Sequence, residues 1–290
     1  MTTGSLNEHI VQRAVARLTT VATLPSSAMR IMKIAEDPTS TEDDLLAVLE
    51  GDPPLAAQVL KVVNSAFYGR PRPVGSTAAA TRLLGVNAIR NIALVASLNR
   101  LFRGGRTVPG FDAGDLWTHA VAVGAAARRV AERCHGVPPE EAMLAGLLHD
   151  IGLLVEIQSS LVEFTAVMSA TTADASLSFA DAEMQWLGAT HEEFGKALCE
   201  QWRFPHALAN ACGHHHDPLS LPVAERWLPA IVHVADVLAG RAGVGFCRSV
   251  GRDHPADGVC ELLGLSATDL AEIEAQLGGD VERTLGLLAA

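Results

Sequence analysis

At 290 residues and 49% hydrophobic content, the chain is long enough for two ordinary domains or one large one with a substantial core. A formal net charge of −11 and a pI near 5.4 do not gather nucleic acid or anionic lipid by long-range attraction, so no direct nucleic-acid or membrane partner is expected. Five cysteines (Cys134, Cys199, Cys212, Cys247 and Cys260) are scattered and never spaced as CxxC, which signals neither a disulfide framework nor a zinc ribbon and fits a reducing cytoplasm. The opening MTTGSLNEHIVQR lacks the apolar core of a signal peptide, and no uninterrupted apolar run approaches the ~20 residues that span a bilayer. A soluble, cytoplasmic protein is expected.

Apolar residues recur at intervals of three and four almost everywhere, and the alternation of a half-buried strand is nowhere sustained. The chain therefore reads as all-α. In chain order, Pro25 opens SSAMRIMKIAE, Ser40 and Asp43 form a capping-box pattern before LLAVLE, and Asp52 with Pro53 introduces PLAAQVLKVV. Later starts are Thr190 with Glu193 before FGKALCEQW, and Pro205 before HALANACGHHH. Two stretches are too rich in glycine to continue helices, residues 103–114 (RGGRTVPGFDAG) and 240–258 (GRAGVGFCRSVGRDHPADG). The first reads as a hinge between an N-terminal lobe, 1–105, and a C-terminal lobe, 106–290. The second reads as a surface loop.

Residues 24–98 form a string of short amphipathic helices with nothing chemically poised among them. Leu24-Pro25, Asp52-Pro53, Asn64-Ser65-Ala66 followed by Phe67-Tyr68-Gly69, and Leu84-Gly85 together resemble the sequence signature of the HDOD family, and the resemblance runs on to about residue 239. It implies a two-lobed helical architecture whose C-terminal lobe is of the HD type. Asn64 and Ser65, near the end of an apolar helix, read either as capping residues that satisfy backbone groups or, with Phe67 and Tyr68, as a surface where a partner docks. Tyr68 is the only tyrosine and stands beside a Gly-Arg-Pro-Arg-Pro turn, as an interface anchor would.

The C-terminal half holds polar intrusions on apolar helices. In MLAGLLHDIGLLV the adjacent His149 and Asp150 interrupt an apolar run, and in IVHVADVL His233 and Asp236 do the same. His119 falls in the stripe of Leu116, Val123 and Val130, and His191 and the run His214-His215-His216 follow. A buried carboxylate needs a cation or metal, and imidazoles and carboxylates from several helices are what a metal site in a bundle requires. One such histidine alone would be an ordinary hydrogen-bonded core residue, and His233 would pair with Asp236 one turn away. His9, His135, His206 and His254 read as surface residues.

The order His119, His149-Asp150, His191, His215-His216, Asp236 resembles the HD superfamily of metal-dependent phosphohydrolases. The resemblance implies that His119, His149, Asp150 and Asp236 hold one metal and that Asp150 bridges to a second held by His191 with His215 and His216. The mixed ligands suit iron, manganese or zinc. Three consecutive histidines span most of a helical turn, so they cannot all face inward. Leu153 stands where HD-GYP hydrolases have lysine, and PLSLPVAERWLPA follows Asp217 where their Gly-Tyr-Pro motif is expected, leaving only Lys196, Arg203 or Arg241 to meet a phosphate. The expected function is a signal-transduction output module that works through a protein partner, with a metal-binding but catalytically doubtful centre. The competing expectation is a phosphohydrolase or phosphodiesterase acting on a nucleotide or other phosphoester. No receiver, GGDEF or DNA-binding segment is recognisable, so input and output domains are expected on separate chains.

Overall fold

The computed structural model describes residues 3–18, 25–37, 39–65, 73–102 and 108–288. In chain order the helices are α1 (Thr3–Arg17), α2 (Ser26–Glu36), α3 (Glu42–Glu50), α4 (Pro53–Val63), α5 (Thr77–Leu84), α6 (Val86–Phe102), α7 (Ala113–Arg133), α8 (Pro139–Leu148), α9 (Ile151–Ser159), α10 (Leu161–Ala173), α11 (Phe179–Trp186), α12 (His191–Gln201), α13 (His206–His214), α14 (Trp227–Arg241), α15 (Val259–Leu263) and α16 (Ala267–Leu288). Among the described residues the only β-type pairing is an isolated bridge between Val108 and Phe111, so the protein is all-α as its periodicity predicts.

The chain divides into two compact units. One comprises residues 23–101 with 282–290, the other 1–22 with 102–281. This differs from a single cut near residue 105. Helix α1 packs on α9 and α12 and so groups with the later part of the chain, while the last turn of α16 returns to the earlier part.

In the smaller unit, α2 to α6 bury Ile31, Leu45, Leu49, Val59, Val63, Ile89 and Leu94. The capping box of α3 lies one residue beyond the expected Ser40 and Asp43: the Asp44 carboxylate accepts from the Thr41 N–H at 2.8 Å and from its hydroxyl at 2.9 Å. The spacing of three is the same, and Thr41, in the extended conformation an N-cap requires, is the one that caps. Asp52 caps α4, accepting from Leu55 N–H at 3.2 Å with Pro53 in the first turn. Between α5 and α6, Gly85 has φ 86°, a left-handed conformation that glycine adopts without strain. Asn64 closes α4 and binds Val74 in both directions, donating from Nδ2 to its carbonyl at 2.9 Å and accepting its N–H at 2.6 Å. Ser65 donates to Val62 O at 2.7 Å. These are backbone-satisfying roles; Leu24, Phe67 and Tyr68 lie outside the described residues. Gln58 donates to Leu288 O at 3.2 Å and Lys61 to Gly286 O at 2.8 Å, fastening the end of α16 to α4.

In the larger unit, two close helix approaches set the frame. A Cβ on Gly146 would lie 2.8 Å from Gly124 Cα, so α7 and α8 meet backbone to backbone. A Cβ on Gly152 would lie 1.9 Å from His191 O, so α9 meets the start of α12 as tightly. Helix α14 packs on α7, α8 and α13 and is buried from Leu228 to Ala239. The segment Pro139–Ser159 is long and apolar enough by composition to cross a membrane, but it is 89% buried inside the fold, as the core of a helical protein is.

The glycine-rich stretch 240–258 is exposed over 241–243 and 251–254, as its composition suggests, but its centre turns inward. Phe246, Ser249 and Val250 are buried, Phe246 packs edge-on against Phe111 and Phe179, and Phe246 N donates to Asp115 O at 3.1 Å. Gly245 explains the route: at φ 72° it passes so close to α7 that a Cβ would lie 2.4 Å from His119 N. Here glycine serves contact rather than flexibility.

Candidate metal centre

The expected ligands arrive from five helices or their ends, all within the larger unit. His119 stands inside α7 and Asp236 inside α14. His149 and Asp150 are not within a continuous helix; they form the junction between α8 and α9. The capping box of Thr190 and Glu193 begins α12, which makes His191 its first residue. His215 and His216 follow the end of α13, where the helix no longer dictates their direction.

The seven side chains converge. His119 Nε2 lies 3.0 Å from Asp236 Oδ1; His149 Nε2 lies 3.4 Å from Asp150 Oδ2 and 3.6 Å from Asp236 Oδ1. Asp150 Oδ1 faces His191 Nε2 at 3.4 Å and His215 Nε2 at 3.6 Å. His216 Nε2 lies 3.0 Å from His191 Nε2, and its Nδ1 lies 4.0 Å from Asp236 Oδ2. His214 turns away to Lys196 at 3.2 Å. His233 does not pair with Asp236: it donates from Nδ1 to His215 O at 2.6 Å and accepts Ala256 N–H at 2.9 Å, bracing the chain behind His215. His9, His135, His206 and His254 are exposed.

The donor set fits a metal. The buried atoms His149 Nε2, Asp150 Oδ1 and His215 Nε2 have no hydrogen-bond partner, although buried polar atoms are almost always satisfied. Four rings share one orientation. Nδ1 of His119 meets Val244 O at 3.2 Å, that of His149 meets Gly146 O at 2.7 Å, that of His215 meets Cys212 O at 3.1 Å, and that of His191 meets Glu183 Oε1 at 2.8 Å. A proton donated from Nδ1 leaves the Nε2 lone pair of a neutral ring pointing inward, the arrangement of a metal-ligating imidazole. Within the set, His119, His149 and Asp150 have ligand atoms all within 4.8 Å of one another, and so do His191, His215 and His216.

Electrostatics give the same picture. Burial alone would lower the ring pKa values, but hydrogen bonds to Asp236 and Cys247 push His119 up to about 9. The Glu183 and Asp150 charges likewise push His191 up to about 9. Against burial, His149, His215 and His191 hold the Asp150 carboxyl well below the usual carboxylate range. Burial and the neighbouring rings His215 and His191 hold His216 well below the ordinary imidazole value. The fold thus favours protons on His119, His149 and His191, and a metal must displace them.

Several groups escaped the sequence reading. Glu183 is buried beside His191, on a stripe with Phe179 and Ala182 that periodicity could have revealed. Ser249 donates to Asp150 Oδ2 at 2.8 Å, and no sequence signal marks it. Glu156 is fully buried with both carboxylate oxygens unpartnered; it is one residue beyond the apolar run in which His149 and Asp150 stood out. Burial and the adjacent Glu183 charge push Glu156 well above its ordinary value of 4.5. The protonated form is therefore favoured in the fold, so its stabilisation is complete below pH 4.5 and is lost as pH rises towards the folded pKa. Glu156→Gln should be more stable than wild type by about 1–3 kcal/mol at pH 8, with a smaller gap at pH 5. Equal gaps in denaturant titrations at the two pH values would contradict this assignment.

Comparison with known proteins places the fold. The family model of the HDOD domain matches residues 21–218. The fold is similar to an HDOD domain protein of unknown function from Geobacter sulfurreducens, with 25% identity, a TM-score of 0.79 and 98% of both chains covered. It is also similar to a candidate phosphohydrolase from Shewanella amazonensis SB2B, at 24% identity and a TM-score of 0.73 over 96% of this chain and 98% of that one. A candidate signal transduction protein from Marinobacter aquaeolei VT8 gives 24% identity and a TM-score of 0.75 over 99% and 66%. An uncharacterized protein of Treponema pallidum (strain Nichols) is 26% identical over 226 residues. That match covers 76% of this chain and 42% of the relative, so the chain spans less than half the length of the curated relative it matches. With the family model matching well over half of its residues, the chain belongs to the HDOD family.

Proposed function

We propose that this protein is a signal-transduction output module that acts through protein contacts, and that its HD-type centre holds metal for structural and regulatory ends rather than for catalysis. His119, His149, Asp150 and Asp236 hold one divalent transition metal, iron, manganese or zinc; Asp150 with His191, His215 and His216 holds a second. A bound metal supplies a positive centre that ties α7, α14 and the α8–α9 junction to α12 and α13.

The observation that carries this reading is burial. Six of the seven ligands are at most 2% exposed, and the chain from Val244 to Ser249 adds its own groups to His119 and Asp150. Two of the three cations that could meet a phosphate are engaged elsewhere, Lys196 with His214 and Arg241 with Glu274 at 2.9 Å, and Leu153 is fully buried. On the partner side, Asn64, Phe67 and Tyr68 supply the contact. One observation favours the phosphohydrolase reading: His216 is 19% exposed, an open edge through which a nucleotide phosphate would have to approach.

The test is elemental analysis of protein purified without added metal, followed by assays on bis(p-nitrophenyl) phosphate and a cyclic dinucleotide. The expected result is bound transition metal with no turnover, and loss of partner capture in Tyr68→Ala. Hydrolysis at an enzymatic rate that disappears in Asp150→Ala would overturn the noncatalytic reading. Metal-free protein that takes up none when it is offered would overturn the metal itself.

A further inference from the structure

A cavity of about 460 Å³ lies within the larger unit and takes no part in the His and Asp cluster. Its volume is that of a small-molecule site. It forms where three helices begin: Pro138 precedes α8, His206 opens α13 and Trp227 opens α14. The other end of α8 leads into His149 and Asp150, so the cavity stands off from them by the length of that helix, 10 residues or about 15 Å.

The lining is specific. Apart from imidazoles, its only charged side chains are Glu141 and Glu225. Asn210, 1% exposed, fixes the Glu225 carboxylate by donating from Nδ2 at 2.7 Å, and the same nitrogen lies 3.2 Å from His206 Nδ1. Glu225 is thus set in place by a buried amide. Glu141 and the indole of Trp227 line the same space and have no side-chain hydrogen-bond or ion-pair partner among the described residues. Trp227 and Leu228 give the cavity an apolar wall.

Helix starts ordinarily favour anions through their free N–H groups. Here α8 begins with Pro138 and Pro139, and Pro205 precedes α13. Proline has no N–H, so two of the three starts have lost donors an anion would use. Carboxylates and an aromatic face suit the opposite charge: a planar cation pairs with carboxylates in bidentate fashion and stacks on indole.

We propose that this cavity is a binding site for a small organic cation, a guanidinium or ammonium on a short apolar stem, with the head held by Glu141 and Glu225 and the stem lying on Trp227 and Leu228. The site is independent of whether the His and Asp cluster holds metal.

The probe is n-butylguanidinium, titrated into the full chain by ligand-observed NMR and calorimetry beside two compounds of similar size, 1-pentanol and pentanoate. Saturable binding with a Kd of about 1 mM or tighter is expected for the cation alone. Glu141→Gln and Glu225→Gln, which keep side-chain shape and the wild-type melting temperature, should each weaken it about tenfold or more, and Trp227→Leu should weaken it while preserving the preference for the cation. The proposal is overturned if the cation shows no saturable binding, if pentanol or pentanoate binds equally well, or if both Glu→Gln variants bind as wild type does.

Discussion

With the proposed metal bound, Asp150→Ala is expected to release it and to remove the stability it confers. Its Oδ1 is the meeting point of His191 and His215 at 3.4 and 3.6 Å, and its Oδ2 faces His149 at 3.4 Å and takes the Ser249 hydroxyl. Among the described residues no other carboxylate lies against all three rings. Without it the imidazoles keep their positions but lose the negative charge that offsets a divalent cation. Removing one member of a buried charged cluster costs about 3–5 kcal/mol, and loss of a ligand present at a thousand times its Kd costs about 4 kcal/mol more. Elemental analysis and melting with and without chelator measure both. Wild type should melt lower after chelation, whereas Asp150→Ala should melt low in either condition. Wild-type metal content in the variant would refute the assignment of Asp150 as the shared ligand.

Gly152→Ala should be as damaging by another route. The new Cβ would lie 1.9 Å from His191 O and 2.8 Å from Gly195 N. Both are backbone atoms, so no rotamer change relieves the clash. Helices α9 and α12 must separate, and the separation carries His191 away from Asp150. A loss of about 3 kcal/mol or more is expected, which for a protein of this size lowers the melting temperature by roughly 6–12 °C. Gly278→Ala is the control, because an added methyl there meets nothing within 4 Å and the position is helical, where alanine is preferred. A Gly152→Ala protein that melts with wild type would show that the two helices are not in backbone contact.

The centre was legible because polar residues interrupt apolar helices, a pattern that requires no knowledge of the fold. His119, His149, Asp150 and Asp236 stood out by that criterion, and they do meet. Glu156 meets the same criterion and was missed only because the apolar run was read one residue short. Ser249 and the Val244 carbonyl could not be found this way: a serine in a polar loop carries no signal, and a backbone carbonyl has no residue identity. The buried centre of the glycine-rich stretch was hidden for a related reason. Glycine permits both a loose loop and a chain pressed against a helix, and only Gly245 beside His119 N decides between them. The shift of the α3 cap from Ser40 to Thr41 is of the same kind, since two hydroxyl residues in succession each begin an acceptable spacing and backbone conformation chooses.

The end of α16 has a consequence for how the protein is made. Gln58 and Lys61 of α4 bind the carbonyls of Leu288 and Gly286, and residues 282–290 group with 23–101. Domains ordinarily fold as they emerge, the N-terminal one first. Here the portion synthesised early cannot acquire all its contacts until residue 288 has left the ribosome, so through most of translation it waits with part of α4 uncovered. A stop codon or a bulky fusion near residue 282 would therefore injure α4 and the helices it packs with, far away in sequence, before it touched the histidine cluster.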